Sequence, residues 1–480
     1  MFQYQILAKH IKQKILSGEL CSGQKLISLR QFSALHAVSL NTAKNCYTLL
    51  ESEGLITVKN KSGYFVQHLK SRNDPPVLPY HREFEVEAKD ISNLDLQIEI
   101  QESSTNNRSI HLGAVQISPN HVPVDAIRKS IQRALKHSQP EDFLYSNRQG
   151  HLRLRQALSD HWAEDGFYIN PDEIYITNGC MAALSLVVQL LTKEGDGIVI
   201  PTPNFNGQLQ LLGTLKRKLI EIPANVDGFD LERLERAMQH PDTKACLLTV
   251  NYQNPLGFEL SNHDKQKIVQ LAEQYQCYVI EDDIYAECSF NLQRPLPIKH
   301  WDEAGYVILC SSISKSLSSA YRVGWFCLPP RLKHLHRQIV IQNVSVNTPL
   351  QLALADLMYS RAYREHLLRL KPKLNHQVDA YRKTILNAFL GIDIGLSQPD
   401  GGYVLWLQLP THIDGLELYY AARQYGINIV PGDVFGEERR YKNYIRLNAG
   451  HELTHEIHDS IVFLADWVKQ KMRSSSQAPS

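Results

Sequence analysis

The sequence predicts an α/β protein in which a mostly parallel sheet, with helices on both faces, follows a small basic helical domain. From about residue 108 onward, short apolar runs typical of buried strands alternate with helical stretches. The first 70 residues carry nine Lys or Arg against three Glu, a net charge of +6, whereas the rest carries 42 Lys or Arg against 47 Asp or Glu. These observations predict a head at residues 1–70, a connector at 71–107 and a body at 108–480.

Composition places the chain among ordinary soluble globular proteins, with 43% hydrophobic and 21% charged residues. The first residues lead directly into an amphipathic pattern rather than a signal peptide. No apolar run approaches the roughly 20 residues that a membrane span needs. The eight cysteines are scattered and include no C-x-x-C pair. We therefore expect buried free thiols, no metal site and a cytoplasmic location without a membrane partner.

The head shows the spacing of three short helices followed by a hairpin. The predicted elements are a helix that ends at Gly18, a helix from its cap Ser28 to Leu35, a helix at 40–53 capped by Ser39, and strands at 55–58 and 64–66. Three helices and a hairpin with a basic tip are typical of a winged helix-turn-helix. In that fold the third helix enters the major groove and the wing lies along a phosphate backbone. The residues predicted to contact DNA are Arg30, Ser39, Asn41, Thr42, Lys44, Lys59 and Lys61.

The head resembles the GntR type of DNA-binding domain. The resemblance rests on Gly18-Glu19-Leu20, Gly23-Gln24-Lys25-Leu26, Glu53-Gly54-Leu55-Ile56 and Ser62-Gly63-Tyr64-Phe65-Val66. Leu40 stands where the GntR type usually has an arginine, so the operator sequence is not carried over from the resemblance. The alternative is a winged helix that serves protein contacts only, and the charge of +6 favours DNA.

The connector at 71–107 is polar and rich in turn-forming residues. Weak apolar alternation between Phe84 and Ile100 predicts one helix within it. We interpret it as a tether between two rigid bodies, partly flexible and partly ordered.

The stretch around Lys315 carries the strongest chemical signal in the body. An apolar run, Tyr306 to Leu309, predicts a buried strand that leads into Ser312, Ser314 and Lys315, with Arg322 seven positions later. Lysine forms Schiff bases with carbonyl compounds, and serine with arginine supplies donors for a phosphate. A lysine that can bind a carbonyl compound, next to donors that can bind a phosphate, indicates pyridoxal 5′-phosphate. The alternative is a surface serine-rich loop with an ordinary lysine.

Other candidate residues follow the predicted strands, whose carboxyl ends carry the ligand-binding loops of such sheets. Gly179 opens a helix whose first residues, Cys180 and Met181, are predicted to hold the phosphate; a plain turn at Asn178-Gly179 is the alternative. Phe205 is placed either to stack on the cofactor ring or to fill the core. Asn254 is placed either to donate to the phenolate oxygen of the cofactor or to form a turn with the following proline.

Three consecutive acids, Glu281-Asp282-Asp283, follow an apolar strand and are costly to bury without positive charge. We predict that Asp282 faces the pyridinium nitrogen of the cofactor. At ~4 Å and an effective dielectric constant of ~20, that attraction is about 4 kcal/mol. This equals roughly three pKa units, enough to keep the ring nitrogen protonated. Tyr285 is predicted to donate to the phenolate oxygen from the other side.

As a set, Gly179, Asn254, Asp282, Tyr285, Lys315 and Arg322 resemble the fold type I aminotransferases in order and context. The resemblance implies that Tyr145 reaches the phosphate of the neighbouring subunit. It also implies that Arg446 binds a substrate carboxylate with two hydrogen bonds; a plain surface arginine is the alternative for Arg446. Ser319-Ala320 stands where the family usually has Pro-Gly. A GntR-type head on such a body resembles the MocR subfamily of transcription regulators.

That resemblance implies a head-to-tail homodimer that binds a double-stranded DNA operator and pyridoxal 5′-phosphate. The expected function is transcription regulation through a Lys315 aldimine that senses a small amino compound or the cofactor itself. The catalytic residues would be Lys315, Asp282 and Tyr285. The alternative function is a working aminotransferase that acts on an amino acid and a 2-oxo acid.

Overall fold

The computed structural model describes residues 3–16, 25–36, 38–52, 56–59, 63–66, 87–91, 94–103, 110–145, 147–291, 293–343 and 345–476. The chain divides into two compact units, Met1–Asp74 and Pro75–Ser480. Among the described residues, no helix has the length and apolar character needed to cross a bilayer.

The first unit contains three helices and a two-stranded hairpin. Its elements are α1 (Gln3–Leu16), α2 (Leu29–Leu35), α3 (Leu40–Ser52), β1 (Ile56–Lys59) and β2 (Gly63–Val66). Ser28 caps α2 in a capping box with Gln31, and the Ser39 hydroxyl accepts from the Thr42 amide at the start of α3. The elements agree with the predicted ones to within a residue at most ends. Tyr47 is buried in the core of this unit and donates to the Ile27 carbonyl oxygen.

The second unit contains twelve helices and fifteen strands among its described residues. The helices are α4 (Leu94–Ser103), α5 (Val124–His137), α6 (Leu152–Glu164), α7 (Cys180–Leu191), α8 (Asn206–Thr214), α9 (Leu231–Met238), α10 (Asn262–Gln274), α11 (His336–Gln342), α12 (Thr348–Met358), α13 (Arg361–Ala388), α14 (Gly415–Gln424) and α15 (His455–Ser476). The strands are β3 (Ala88–Lys89), β4 (Ile110–His111), β5 (Ile174–Thr177), β6 (Gly197–Thr202), β7 (Lys218–Asn225), β8 (Gly228–Phe229), β9 (Thr243–Leu248), β10 (Tyr278–Asp282), β11 (Val307–Ser312), β12 (Gly324–Cys327), β13 (Gly395–Leu396), β14 (Val404–Gln408), β15 (Ile427–Asn428), β16 (Val430–Pro431) and β17 (Tyr444–Asn448).

The large sheet has the strand order β3-β7-β6-β9-β10-β11-β12-β5. Its centre is parallel from β7 to β11, and β12 runs antiparallel to both neighbours. Apolar side chains fill both faces because alternate residues of a strand point to opposite sides. Val279 and Ile280 of β10, for example, belong to different core clusters. A separate four-stranded sheet, β13-β14-β17-β16, belongs to the carboxyl-terminal part of the chain.

Strand β11 is longer than the predicted strand Tyr306 to Leu309. It begins at Val307 and continues through Ser312, since Ser311 and Ser312 pair with Trp325 and Gly324 of β12. The serine-rich stretch therefore begins inside the sheet. Seven of the eight cysteines are described, and all seven are buried free thiols as predicted.

The predicted connector holds ordered elements in its described part. Ala88–Lys89 pairs antiparallel with β7 of the large sheet. Leu94–Ser103 forms α4, within the stretch of weak apolar alternation. The first part of the predicted connector lies outside the described residues.

A buried ion-pair network lies directly behind the end of β10. Asp283 accepts from Arg294 and from Asn251, and Arg294 also lies 3.4 Å from Glu287. Glu287 in turn contacts His161 Nε2 at 3.0 Å. Removing one partner would leave the other charge buried and uncompensated, which is unfavourable. The network therefore stabilises the end of β10.

Replacing Arg294 by Leu is therefore expected to lower the free energy of unfolding of the body by about 3–5 kcal/mol. Denaturant unfolding followed by tryptophan fluorescence measures this, because the Trp162 ring lies 5.5 Å from the Arg294 guanidinium. The matched control is Arg361→Ala, since Arg361 is 90% exposed in its pair with Glu365. That change is expected to cost less than about 1 kcal/mol. Equal losses in the two variants would contradict the role of the network.

Candidate functional site

One cavity of about 160 Å³ lies at the carboxyl ends of the central strands. Strand β10 ends at Asp282 and is followed by Tyr285, and β11 ends at Ser312 and is followed by Ser314 and Lys315. Residues at the starts of α7 and α8 complete the lining. Its lining residues are Cys180, Met181, Phe205, Gln208, Thr249, Asn254, Asp282, Ile284, Tyr285, Ser312, Ser314, Lys315, Ser319 and Arg322. Ten of these are predicted site residues from six separate stretches of sequence, so the fold brings them together.

Lys315 presents its amine to this cavity. Its Nζ donates to the Val115 carbonyl oxygen at 2.7 Å, and its own carbonyl oxygen accepts from the Tyr403 hydroxyl at 3.2 Å. Burial, followed by the positive charge of Arg446, lowers the Lys315 pKa to about 8. A lysine whose pKa is lowered in this way presents a larger fraction of neutral, nucleophilic amine at neutral pH.

Asp282 is 4% exposed and accepts three hydrogen bonds. Its Oδ2 accepts from Gln208 Nε2 at 2.8 Å. Its Oδ1 accepts from the Ile284 amide at 3.3 Å and from Cys180 Sγ at 3.4 Å. Burial raises the Asp282 pKa to about 6, and the donors oppose that rise. Such a carboxylate is suited to a cationic or hydrogen-donating partner within the cavity.

Arg446 of β17 brings a guanidinium to the same region from the smaller sheet. Its Nη2 donates to the Gly113 carbonyl oxygen at 2.6 Å, and its Nη1 lies 3.4 Å from Asn254 Oδ1. It stacks on Phe435, with 5.2 Å from guanidinium to ring centre. Burial lowers its pKa to about 10. Within the described chain it makes no salt bridge, and its Nε has no hydrogen-bond partner. A buried guanidinium of this kind attracts a carboxylate.

Asn254 and Tyr285 contact each other on one wall of the cavity. The Asn254 amide Nδ2 lies 3.4 Å from the Tyr285 hydroxyl. Burial raises the Tyr285 pKa well above its ordinary value, so its hydroxyl stays protonated and available as a donor. Both groups could donate to one oxygen placed between them.

The opposite end of the cavity is built for an oxyanion. Gly179 precedes α7 with φ of +92°, and a Cβ there would lie 2.7 Å from Arg322 Nη2. Ser312 Oγ donates to Ser314 Oγ at 2.9 Å, and Arg322 Nη2 donates to the Asn178 carbonyl oxygen. Free amides at a helix start, hydroxyls and a guanidinium together are a phosphate-binding set.

Tyr145 does not line the cavity of its own chain and is 87% exposed. Its predicted role, contact with a neighbouring subunit, stays a prediction. Gln208, Thr249, Ile284 and Ser319 line the cavity but were not predicted. Gln208 lies three residues after Phe205, and such a spacing places two side chains on the same helical side. That spacing is the signal in the sequence that could have identified it.

The head exposes most of the side chains predicted to meet DNA. Arg30, Ser39, Asn41 and Lys44 are exposed and Thr42 is half-buried. Lys59 ends β1, but its side chain and the whole of Lys61 lie outside the described residues.

Comparison with known proteins assigns both parts of the chain to families. The aminotransferase class I and II family model matches residues 110–457, and the model for bacterial regulatory proteins of the gntR family matches residues 3–66. The Escherichia coli K12 protein named Uncharacterized HTH-type transcriptional regulator YdcR is 34% identical over 475 residues, covering 98% of this chain and 100% of that protein. Aromatic-amino-acid aminotransferase 1 of Thermococcus litoralis is 27% identical over 85% of this chain and 99% of that protein.

A solved structure of the alpha-aminoadipate aminotransferase LysN from Thermus thermophilus, complexed with N-(5′-phosphopyridoxyl)-L-leucine, matches with a TM-score of 0.71. It covers 80% of this chain and 98% of that chain at 23% identity, so it establishes the fold alone. The chain belongs to the aminotransferase class I and II family and carries a head of the gntR family, the combination typical of the MocR subfamily. The predicted fold class and resemblance are thereby confirmed.

The lowered pKa of Lys315 predicts its reactivity toward a small acylating reagent. Only the neutral amine reacts, so acetic anhydride labelling of Lys315, followed by peptide mass analysis, should rise with pH through a midpoint near 8. In Arg446→Gln the midpoint should move upward, because a repelling charge is lost, yet stay below about 10.4, the ordinary lysine value, because burial remains. A wild-type midpoint near the ordinary value would contradict this description of the site.

Proposed function

We propose that this protein is a pyridoxal 5′-phosphate-dependent transcription regulator whose body senses a small amino compound. The observation that carries the proposal is the cavity lined by Lys315, with its lowered pKa, and by the buried Asp282, where Arg446 lies 3.4 Å from the lining residue Asn254. An amine, a carboxylate and a guanidinium are gathered there without forming salt bridges to one another within the described chain.

The residues present fit pyridoxal 5′-phosphate at each of its polar groups. Asp282 would hold the ring nitrogen, and Phe205 would cover the ring. Asn254 and Tyr285 would donate to the phenolate oxygen. The phosphate would be held by Gly179, Cys180 and Met181 at the start of α7, together with Ser312, Ser314 and Arg322. When bound, the cofactor supplies an aldehyde that combines with primary amines and a ring that withdraws electrons.

Lys315 and Arg446 together define the compound that would be sensed. With the cofactor bound, the Lys315 amine would be the group that competes with a primary amine for its aldehyde, and Lys315 Nζ could take or return a proton there. Arg446 would hold a carboxylate of the same compound, because its guanidinium is buried and has no acidic partner among the described residues. The effector class is therefore an amino acid or a related amino carboxylate.

The head supplies the DNA-binding part of the proposal. Its net charge of +6, together with the exposed Asn41 and Lys44 at the start of α3, suits a double-stranded operator. The E. coli relative is named a transcriptional regulator and matches this chain over 98% of its length. We further propose a head-to-tail homodimer in which the exposed Tyr145 reaches the phosphate of the neighbouring subunit.

A second candidate function is amino-acid transamination with a 2-oxo acid. It is favoured by the presence of Lys315, Asp282 and Tyr285 in one cavity, and by the similarity to an archaeal protein named an aminotransferase. Product formation in proportion to added amino acid and 2-oxo acid would support it, whereas binding without turnover supports regulation. A regulator that senses the cofactor itself would instead change its DNA affinity on titration with pyridoxal phosphate alone.

Replacing Lys315 by Ala is expected to abolish the visible absorbance of the purified protein, because no other amine enters the cavity from the residues that line it. The control is Lys216→Ala, a lysine whose side chain is 70% exposed; it should leave the spectrum unchanged. Absorption spectra recorded with added pyridoxal phosphate make the comparison. A Lys315→Ala spectrum identical to wild type would sink the site assignment.

DNA affinity is expected to fall steeply with salt, because contacts to phosphate release counterions. With a fragment from upstream of the protein's own gene, Lys44→Ala should weaken binding and reduce the slope of log K against log salt by about 1. Lys216→Ala on the body serves as the control and should change neither value. Affinity that does not depend on salt would remove the electrostatic basis for the head.

A further inference from the structure

The amide of Gln208 on α8 is the nearest hydrogen-bond donor to Asp282 among the described residues. Gln208 is 1% exposed, and its Nε2 donates to Asp282 Oδ2 at 2.8 Å, with a longer contact of 3.4 Å to Thr249 Oγ1. The other two donors to Asp282 are longer, at 3.3 Å and 3.4 Å. Gln208 therefore forms the shortest hydrogen bond that this carboxylate makes in the described chain.

The other end of the same amide has no hydrogen-bond partner among the described residues. Gln208 Oε1 is buried and has no hydrogen bond among the described residues, although it is an acceptor. Leaving an acceptor unpaired is costly, so the amide orientation needs a reason. With Nε2 toward Asp282 the carboxylate gains a donor. With Oε1 toward it, two acceptors would face each other unless Asp282 were protonated.

None of the remaining titratable groups near Asp282 donates a hydrogen bond to it as short as that of Gln208 within the described chain. They are Cys180 on α7, Cys310 on β11, Asp283 and Tyr285 beside it in sequence, and Lys315 after β11. The two thiols are buried and their pKa values lie well above the ordinary value. Asp283 is paired with Arg294. A neutral amide, which does not titrate, thus supports the ionised form.

We propose that Gln208 is a positioning residue that keeps Asp282 ionised, and so keeps the proton of the Asp282–cofactor pair on the ring nitrogen. This inference rests on the proposed function, because it assumes that pyridoxal 5′-phosphate binds with its ring nitrogen at Asp282. Losing a hydrogen bond to a charged group shifts a pKa by about one to two units. Without Gln208, the pKa of Asp282 rises and the shared proton moves from the ring nitrogen toward the carboxylate.

The test is nitrogen NMR of the full chain loaded with pyridoxal phosphate labelled with ¹⁵N in the ring. The ring nitrogen signal differs strongly between its protonated and unprotonated forms. Gln208→Met keeps the length of the side chain but removes the donor. Gln208→His restores an N–H donor. Gln210→Met is the matched control, because Gln210 lies two residues along the same helix and does not line the cavity.

We expect the ring signal of Gln208→Met to move toward the unprotonated position and its titration midpoint to fall by about one unit. Gln208→His should resemble wild type, and Gln210→Met should not change. If Gln208→Met does not fold, Gln208→Asn, which withdraws the amide by one methylene, should give the same displacement. A bound cofactor with an unchanged ring signal in either variant overturns the inference and leaves the proposed function standing. A wild-type protein that takes up no labelled cofactor contradicts the proposed function and this inference with it.

Discussion

The central constraint on this structure is that it buries ionisable side chains away from water. Asp282 and Lys315 line one cavity, Arg446 contacts Asn254 in its wall, and none of the three forms a salt bridge within the described chain. Desolvation moves all three pKa values in the direction of the neutral form, to about 6, 8 and 10 respectively. Such an arrangement is unfavourable for an isolated protein and becomes favourable when complementary charges bind. The site is therefore organised for ligands rather than for stability.

The run Glu281-Asp282-Asp283 illustrates how the fold makes this possible. Glu281 accepts hydrogen bonds from the backbone amides of Ile298 and Lys299. Asp283 forms an ion pair with Arg294. Only Asp282 faces the cavity. The two flanking acids thus have structural partners that anchor the strand end, and the middle acid is held by neutral donors. Three adjacent carboxylic acids are tolerated because each one has a different environment.

Much of this organisation could be predicted from the sequence because it is local. The Ser28 cap, the strand before Lys315 and the turn at Gly179 each depend on neighbouring residues, and the structure has all three. The contacts that could not be predicted are tertiary. The carbonyl oxygens of Gly113 and Val115 contact Arg446 and Lys315 across more than 190 positions of sequence. No pattern of residue types encodes a backbone carbonyl that meets a side chain so far away.

The antiparallel strand β12 is a similar case. Its residues are buried, like those of the parallel strands, so the sequence pattern does not indicate the direction of the strand. Pairing with β5 on one side and β11 on the other brings Gly324 against the backbone of Gly179 and Cys180. That close approach places the start of α7 next to Arg322, which the phosphate-binding arrangement requires. Topology, rather than residue type, assembles this end of the site.

The central claim is that Lys315 binds the aldehyde of pyridoxal phosphate. Its most direct test is to add pyridoxal phosphate to the purified protein, reduce any imine with borohydride, and identify the modified lysine by peptide mass spectrometry. A pyridoxyl group fixed on Lys315 alone is the predicted result. Modification of surface lysines only, with Lys315 unmodified, would contradict the account of what this cavity holds.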